Sequence, residues 1–406
     1  MPAQPEVPVL AERHQQFMYG LIETVLRDIG ARESCSENER RLGGYLVELW
    51  NSFGLAVHTE RFRCHPKAFL GFIPFASLLY LAATIAYWWL PLACSVLAAT
   101  AFALTWFELL RYREFVDRFF PAAEGENVVG VFRPAGAVQR RVVVSAHQDS
   151  AYEFTLWYFL RDAAIPVMVL AFAAPLVPAL GGLARSLAGH NADAHVFAVI
   201  GYICLGLYPF VGLNLFFHTY WVVPGAMDNL AGISVITGLG KALAEGARTH
   251  APLVTRTEIV LLATSSEEAG LRGAKRYAAS HVAELQAIPT SGLFVDGIYD
   301  ERFLTVFTRE LFTGAVHDRR LVALAQEAAA SHGWPILTTR LPVGSTDAAA
   351  FTLAGVPSVS LICQETKRLA PNYHTRRDVI DHVRPQSLTV MLQLVIDMIR
   401  RIDAVP

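Results

Sequence analysis

The 406-residue chain is long enough for two domains, or for one large domain carrying insertions. Hydrophobic residues make up 53% and charged residues only 17%, against about 25% in an ordinary soluble domain, so part of the chain is expected to lie in lipid. The net charge of −2 offers no electrostatic footing for a nucleic acid, and none is expected as a partner.

Residues 9–30 and 36–53 carry the periodicity of amphipathic helices, and 55–61 reads as a strand. Residues 1–16 lack an apolar core, so no cleavable signal peptide is expected there. The pattern then changes. Residues 69–90 are apolar throughout, Pro91 follows, and 92–110 are apolar except for Glu108. Each run approaches the ~20 residues needed to cross a bilayer. Tyr87, Trp88, Trp89 and Trp106 near the run ends favour a transmembrane hairpin over a pair of buried core helices. Strands are expected at 127–132 and 141–146, with a turn at Pro134-Ala135-Gly136 between them. Two more apolar runs follow, 163–183 and 195–217, joined by a polar loop at 184–194. Pro166, Pro175 and Pro178 would break a soluble helix, but membrane helices tolerate proline better, so a second hairpin is expected rather than an apolar lid.

From residue 229 onward helices and strands alternate: helix 229–245, strand 258–264, helix 269–285, strand 291–295, strand 304–307, helix 318–331, strand 335–339, helix 346–354, strand 358–363 and helix 383–402. The expected fold class is α/β, a mixed central sheet with helices on both faces in an α/β/α sandwich, with about four transmembrane helices inserted as two hairpins. The expected divisions are an N-terminal helical segment at 1–66, the first hairpin at 67–113, sheet strands at 114–154, the second hairpin at 155–222, and the remaining core at 223–406. Cys35, Cys64, Cys94, Cys204 and Cys363 have no CxxC spacing and read as small buried hydrophobes rather than disulfides or thiolate ligands.

Five stretches place a carboxylate or histidine at or just beyond an apolar run. They are His147-Gln148-Asp149, Gly225-Ala226-Met227-Asp228-Asn229, Glu267-Glu268-Ala269-Gly270, the strand end at Asp296, and Tyr373-His374-Thr375. Taken alone, Asp228 is an ordinary helix-capping aspartate and His147 or His374 a structural histidine. Together they differ, because in open α/β sheets such strand ends converge on one crevice. Two histidines and several carboxylates gathered there would repel unless cations neutralised them, and a two-metal hydrolytic site answers that.

In this order and with these residues, the chain resembles the M28 family of co-catalytic zinc peptidases. The resemblance implies that His147 and Asp296 hold one metal, Glu268 and His374 the other, and that Asp228 bridges them. It implies further that Glu267 is the general base, that Asp149 orients His147, and that the Asp228–Asn229 peptide bond is cis. Two Zn²⁺ are the implied cofactors, although mixed nitrogen and oxygen ligands also suit Mn²⁺ or Co²⁺. The expected function is that of a membrane-bound metal-dependent aminopeptidase acting on peptides with a free N-terminus. The alternatives are a glutaminyl cyclase-like enzyme working with one zinc and a non-catalytic receptor-like relative, which would typically lack ligands this chain keeps. Two features depart from the family: Leu230-Ala231 stands where Gly-Ser is usual, and the interval between His147 and Asp228 is several times the usual loop. Asp378 is expected either to orient His374 or to cap the following turn. Gly344-Ser345-Thr346-Asp347 with Phe351 resembles a pocket motif, although a helix cap explains Ser345 equally well.

Arg61, Arg63, Lys67, Arg111, Arg113, Arg118 and Arg161 flank one side of the apolar runs, and only Arg185 the other. By the positive-inside rule the sheet-bearing part is expected to face the cytoplasm, as part of an integral membrane protein in contact with the lipid bilayer.

Overall fold

The computed structural model describes residues 9–191, 193–365 and 372–405, so the first eight residues of the N-terminal segment lie outside it. The chain divides into two compact units. One comprises the segments through Pro66, Ala122–Ala151 and Val222 onward; the other comprises Lys67–Pro121 and Tyr152–Trp221.

The first unit holds one eight-stranded mixed sheet. Its strands are β1 (Ala56–Cys64), β2 (Ala123–Phe132), β3 (Arg140–His147), β4 (Thr257–Thr264), β5 (Thr290–Ile298), β6 (Leu304–Glu310), β7 (Leu337–Leu341) and β8 (Ser358–Cys363), in the spatial order β1-β2-β4-β3-β5-β8-β6-β7. β4, β3, β5 and β8 run parallel at its centre. β1 and β2 pair antiparallel with each other, β2 with β4, and β6 with β8. Strands buried on both faces read as continuous apolar runs, and β3 and β4 are buried along their whole length. Alternate residues serve two cores: Val142, Val144 and Ala146 join the larger one, while Val143 joins the smaller one with Phe294 and Phe351. Helices Val9–Asp28, Glu37–Ser52, Ala231–Arg248 and Pro385–Asp403 supply the larger core, and Arg272–Ala287 with Asp347–Leu353 the smaller. The parallel centre matters most here, because it brings the carboxyl ends of β3, β4, β5 and β8 to one edge.

The second unit is helical. Among the described residues, four helical stretches are long and apolar enough to cross a membrane: Ala68–Ala86, Pro91–Leu110, Thr155–Ala188 and Ala194–Phe216. Small residues let them approach closely: a Cβ on Gly182 would lie 2.5 Å from the Pro91 carbonyl, and one on Gly201 would strike the Trp88 ring at 2.6 Å. Tyr80 and Tyr87 donate their hydroxyls to the carbonyls of Cys204 and Phe197 across the bundle. The polar stretch expected as a loop from residue 184 instead stays helical to Ala188. Arg185 explains this, since its guanidinium donates to the Tyr87 carbonyl at 2.7 Å and lies over the Tyr87 ring.

Candidate metal centre

Asp228 sits after a sharp turn whose geometry the sequence supplies. Gly225 has φ +65°, and a Cβ there would strike the Asp228 carbonyl and the Ser150 Cβ at 2.6 Å. The Asp228–Asn229 peptide bond is cis. Asn229 then locks the turn to the sheet, donating to the Val295 carbonyl at 2.9 Å and accepting the Gly232 N–H at 3.0 Å.

The five expected ligands converge. The Asp228 carboxylate lies between two imidazoles, with His147 Nε2 3.0 Å from its Oδ1 and His374 Nε2 3.1 Å from its Oδ2. His147 Nε2 is also 3.6 Å from Asp296, and His374 Nε2 is 3.3 Å from Glu268. Two three-residue groups therefore have donor atoms within 4.8 Å of one another, His147–Asp228–Asp296 and Asp228–Glu268–His374, and they share Asp228. A third, His147–Glu267–Glu268, lies across both.

The electrostatics fit cations. Burial would strip the proton from His147, yet hydrogen bonds to Asp149, Asp228 and Asp296 hold it on, well above the usual imidazole range. Burial acts likewise on His374, but the charges of Glu268 and Asp228 push it up to about 10. Burial would raise Asp228, while the two imidazoles pull it below the ordinary carboxylate value. Glu267, Glu268 and Asp296 are pushed up, by burial first and by neighbouring carboxylates second. Protons on the imidazoles thus stand where cations would, and such ligands release them when a metal binds. The donor set, one imidazole and carboxylates in each group, suits zinc.

Supporting groups differ partly from expectation. His147 Nδ1 lies 3.1 Å from the backbone carbonyl of Asp149 and 3.4 Å from its carboxylate. That carboxylate also accepts the backbone N–H groups of Glu267 and Glu268, each at 3.1 Å, and the Ser34 hydroxyl at 2.6 Å. Asp149 therefore cradles the glutamate pair as well as facing the histidine. Asp378 grips the backbone N–H groups of Met227 and Asp228 at 2.7 and 3.2 Å, a role on the Asp228 turn that neither expectation anticipated. Burial pushes Asp378 up to about 8. Phe351 is a core residue, its ring 4.8 Å from that of Phe294 between centroids, and so does not line a substrate site. Ser345 gives its hydroxyl to Glu310 rather than capping the helix, and Asp347 accepts the Thr264 hydroxyl at 2.5 Å.

Sequence reasoning missed Arg32. It is fully buried and donates to the carbonyls of Gly30, Gln148, Pro224 and Gly225 at 2.8–3.1 Å, tying the His147 arm to the Asp228 turn. Burial lowers it to about 10, against the opposing charges of Asp378 and Asp149. Nothing local marks it, because its partners other than Gly30 are more than a hundred positions away.

Residues 214–399 match Peptidase family M28. No curated protein matches the chain. Among solved structures, an aminopeptidase from Aneurinibacillus sp. strain AM-1 superposes with a TM-score of 0.57 at 13% identity, over 96% of this chain and 94% of that one. BSAP, a zinc aminopeptidase from Bacillus subtilis, gives 0.57 at 16% identity over 98% and 96%. A Bacteroides thetaiotaomicron glutaminyl cyclase bound to N-acetylhistamine gives 0.56 at 14% over 97% and 99%. Residues 214–399 are therefore similar to the M28 family, and the chain has the fold that these zinc aminopeptidases and cyclases share.

Proposed function

We propose that this M28 domain belongs to a membrane-bound, metal-dependent aminopeptidase that hydrolyses the first bond of peptides with a free N-terminus. The observation that carries the reading is the pair of ligand groups sharing Asp228. His147 and Asp296 would hold one zinc ion, Glu268 and His374 the other, with Asp228 between. When bound, such ions polarise the scissile carbonyl and lower the pKa of a coordinated water. The chain's own residues supply the proton traffic. Glu267 takes a proton from the attacking water and returns it to the leaving amine. Burial and neighbouring carboxylates raise Glu267 well above the ordinary carboxylate range, which suits a base that must also act as an acid. Asp149 fixes the direction of Glu267 through the backbone and that of His147 through its ring nitrogen.

The fold likeness to a glutaminyl cyclase supports a second reading, a one-metal enzyme cyclising N-terminal glutamine. The complete His147–Asp228–Asp296 group favours two metals. The composition and length of four helices support insertion in a bilayer, and the basic flanks support a cytoplasmic peptidase domain. Reporter fusions between Ala188 and Ala194 should then read as extracytoplasmic, and a cytoplasmic readout there would reverse the orientation. The test of activity is a peptide library with free and blocked N-termini, given to the detergent-purified protein with and without a chelator. Chelator-sensitive release of free N-terminal residues is expected, and pyroglutamyl products alone would favour the cyclase.

A further inference from the structure

Cys35 and Cys64 come from distant segments, the loop after the first helix and the end of β1, yet their sulfurs lie 3.0 Å apart. Both are buried, Cys64 completely and Cys35 to 8% exposure. The Ser266 hydroxyl approaches both, at 3.2 Å from Cys35 and 3.8 Å from Cys64, and Ser266 immediately precedes Glu267. Glu39 fastens the corner: its carboxylate accepts the backbone N–H of Cys35 at 2.6 Å and that of Ser266 at 3.1 Å. Two thiols are thus held within reach of one another by a scaffold that also carries the turn into the glutamate pair.

We propose that Cys35 and Cys64 are a reversible thiol–disulfide site, oxidised by a small peroxide, set behind the turn that carries Glu267. The hydrogen bond from Cys35 lowers Cys64 below the ordinary thiol value, whereas the same bond, then burial, push Cys35 up. Cys64 is therefore the attacking sulfur, since the thiolate is the nucleophile. Its thiolate attacks one peroxide oxygen, the O–O bond breaks, and the departing hydroxide takes up a proton to leave as water. Cys64 is then a sulfenic acid. Cys35 loses its proton and attacks the Cys64 sulfur; the S–O bond breaks and a second water leaves. Two thiols lose two electrons in all, and one peroxide becomes two waters. A peroxide fits this site because only a reagent little larger than water reaches sulfurs this buried, entering at the slight exposure of Cys35 to meet the Cys64 sulfur 3.0 Å beyond it.

The test is a peptide map of the full chain in detergent, reduced, freed of reductant, and treated with near-stoichiometric hydrogen peroxide. Remaining thiols are alkylated after unfolding. A cross-linked peptide holding Cys35 and Cys64 should account for most of the chain and vanish on dithiothreitol treatment. Cys363, buried at the end of β8, should stay alkylatable as the internal control. Full alkylation of both Cys35 and Cys64, or oxidation of either to sulfinic acid without the cross-link, would overturn the proposal. In Cys35→Ser, which removes the resolving sulfur, dimedone should label Cys64; no label on Cys64 would overturn the assigned order. Every readout is a mass, so the outcome is independent of whether the chain proves to be a peptidase.

Discussion

In the α/β unit the buried groups include His147, Asp149, Asp228, Asp378 and Arg32, each wrapped in hydrogen bonds, while Phe294, Phe307 and Phe351 fill the core. The helical unit reverses this arrangement. Phe75, Leu78, Trp89, Leu92, Val96, Val169, Leu180 and Val199 are all more than half exposed there. Burial of apolar surface contributes roughly 25 cal/mol per Å², so a surface of this kind left in water forgoes much of the stabilisation that its composition could supply. The first unit buries polar and charged groups among their hydrogen-bond partners, and the second presents large apolar side chains on its outside. Substitutions that are harmless in one unit should be damaging in the other.

The largest effect is expected at Asp228, which faces both imidazoles. Asp228→Asn should fall to the activity of the chelator-treated protein and bind less than one metal per chain, measured by elemental analysis beside kcat. Full activity with both metals retained would break the idea of a shared ligand. Next comes Glu267→Gln. Proton transfer contributes typically ~10²–10⁴-fold, so turnover should drop by about that factor while metal content stays at the wild-type level. Loss of metal equal to that in Asp228→Asn would make Glu267 a ligand instead.

These two residues show how far the sequence alone could be read. The candidate ligands His147, Glu268 and Asp296 could be picked out because each ends or follows a strand of the parallel centre, which brings such ends to one edge, whereas Asp228 follows the helical insertion and was marked by its motif alone. The four long apolar helices were legible from composition for the same reason that they stand out in the structure. Arg32, Glu39, Ser34 and the contact between Cys35 and Cys64 were not legible, since each depends on a group that only the fold brings near: Gln148 and Pro224 for Arg32, Ser266 for Glu39, Asp149 for Ser34 and the second sulfur for the thiol pair. Asp378 was noticed for its spacing from His374, yet its partners are the N–H groups of Met227 and Asp228, 150 positions away or more. The persistence of helix through Arg185 likewise depends on the carbonyl and ring of Tyr87, in the turn just past another helix.

The helical unit offers the third prediction. Val169 lies within the Thr155–Ala188 stretch and is 58% exposed. In water, Val169→Arg would change stability by no more than about 0.5 kcal/mol, as exposed substitutions usually do. At the centre of a membrane helix arginine costs ~2.5–3.5 kcal/mol, so the variant should be depleted from the membrane fraction. Unchanged membrane yield and thermal stability would return this unit to water.

The smallest effect concerns pH. His218, in the helical unit but beyond the last apolar stretch, is half-buried beside Tyr152 and Tyr220, and the loss of water around its ring lowers its pKa to about 4. An unfolded histidine titrates near 6.5, so the unfolded chain binds this proton first as pH falls. Stability is unaffected by this group above about pH 6.5 and is lost progressively between there and pH 4. The melting temperature of the wild type should therefore drop more between pH 7 and pH 5 than that of His218→Phe. Equal drops would mean that His218 is solvated.

The central claim is that one carboxylate, Asp228, joins two metal sites in one catalytic centre. Metal content of the purified, active chain, taken with that of His147→Ala and His374→Ala, tests it most directly. Two ions per chain are predicted for the wild type, with each histidine variant keeping one and losing nearly all turnover. One ion per fully active chain, unchanged in His147→Ala, would contradict the account and favour the one-metal reading.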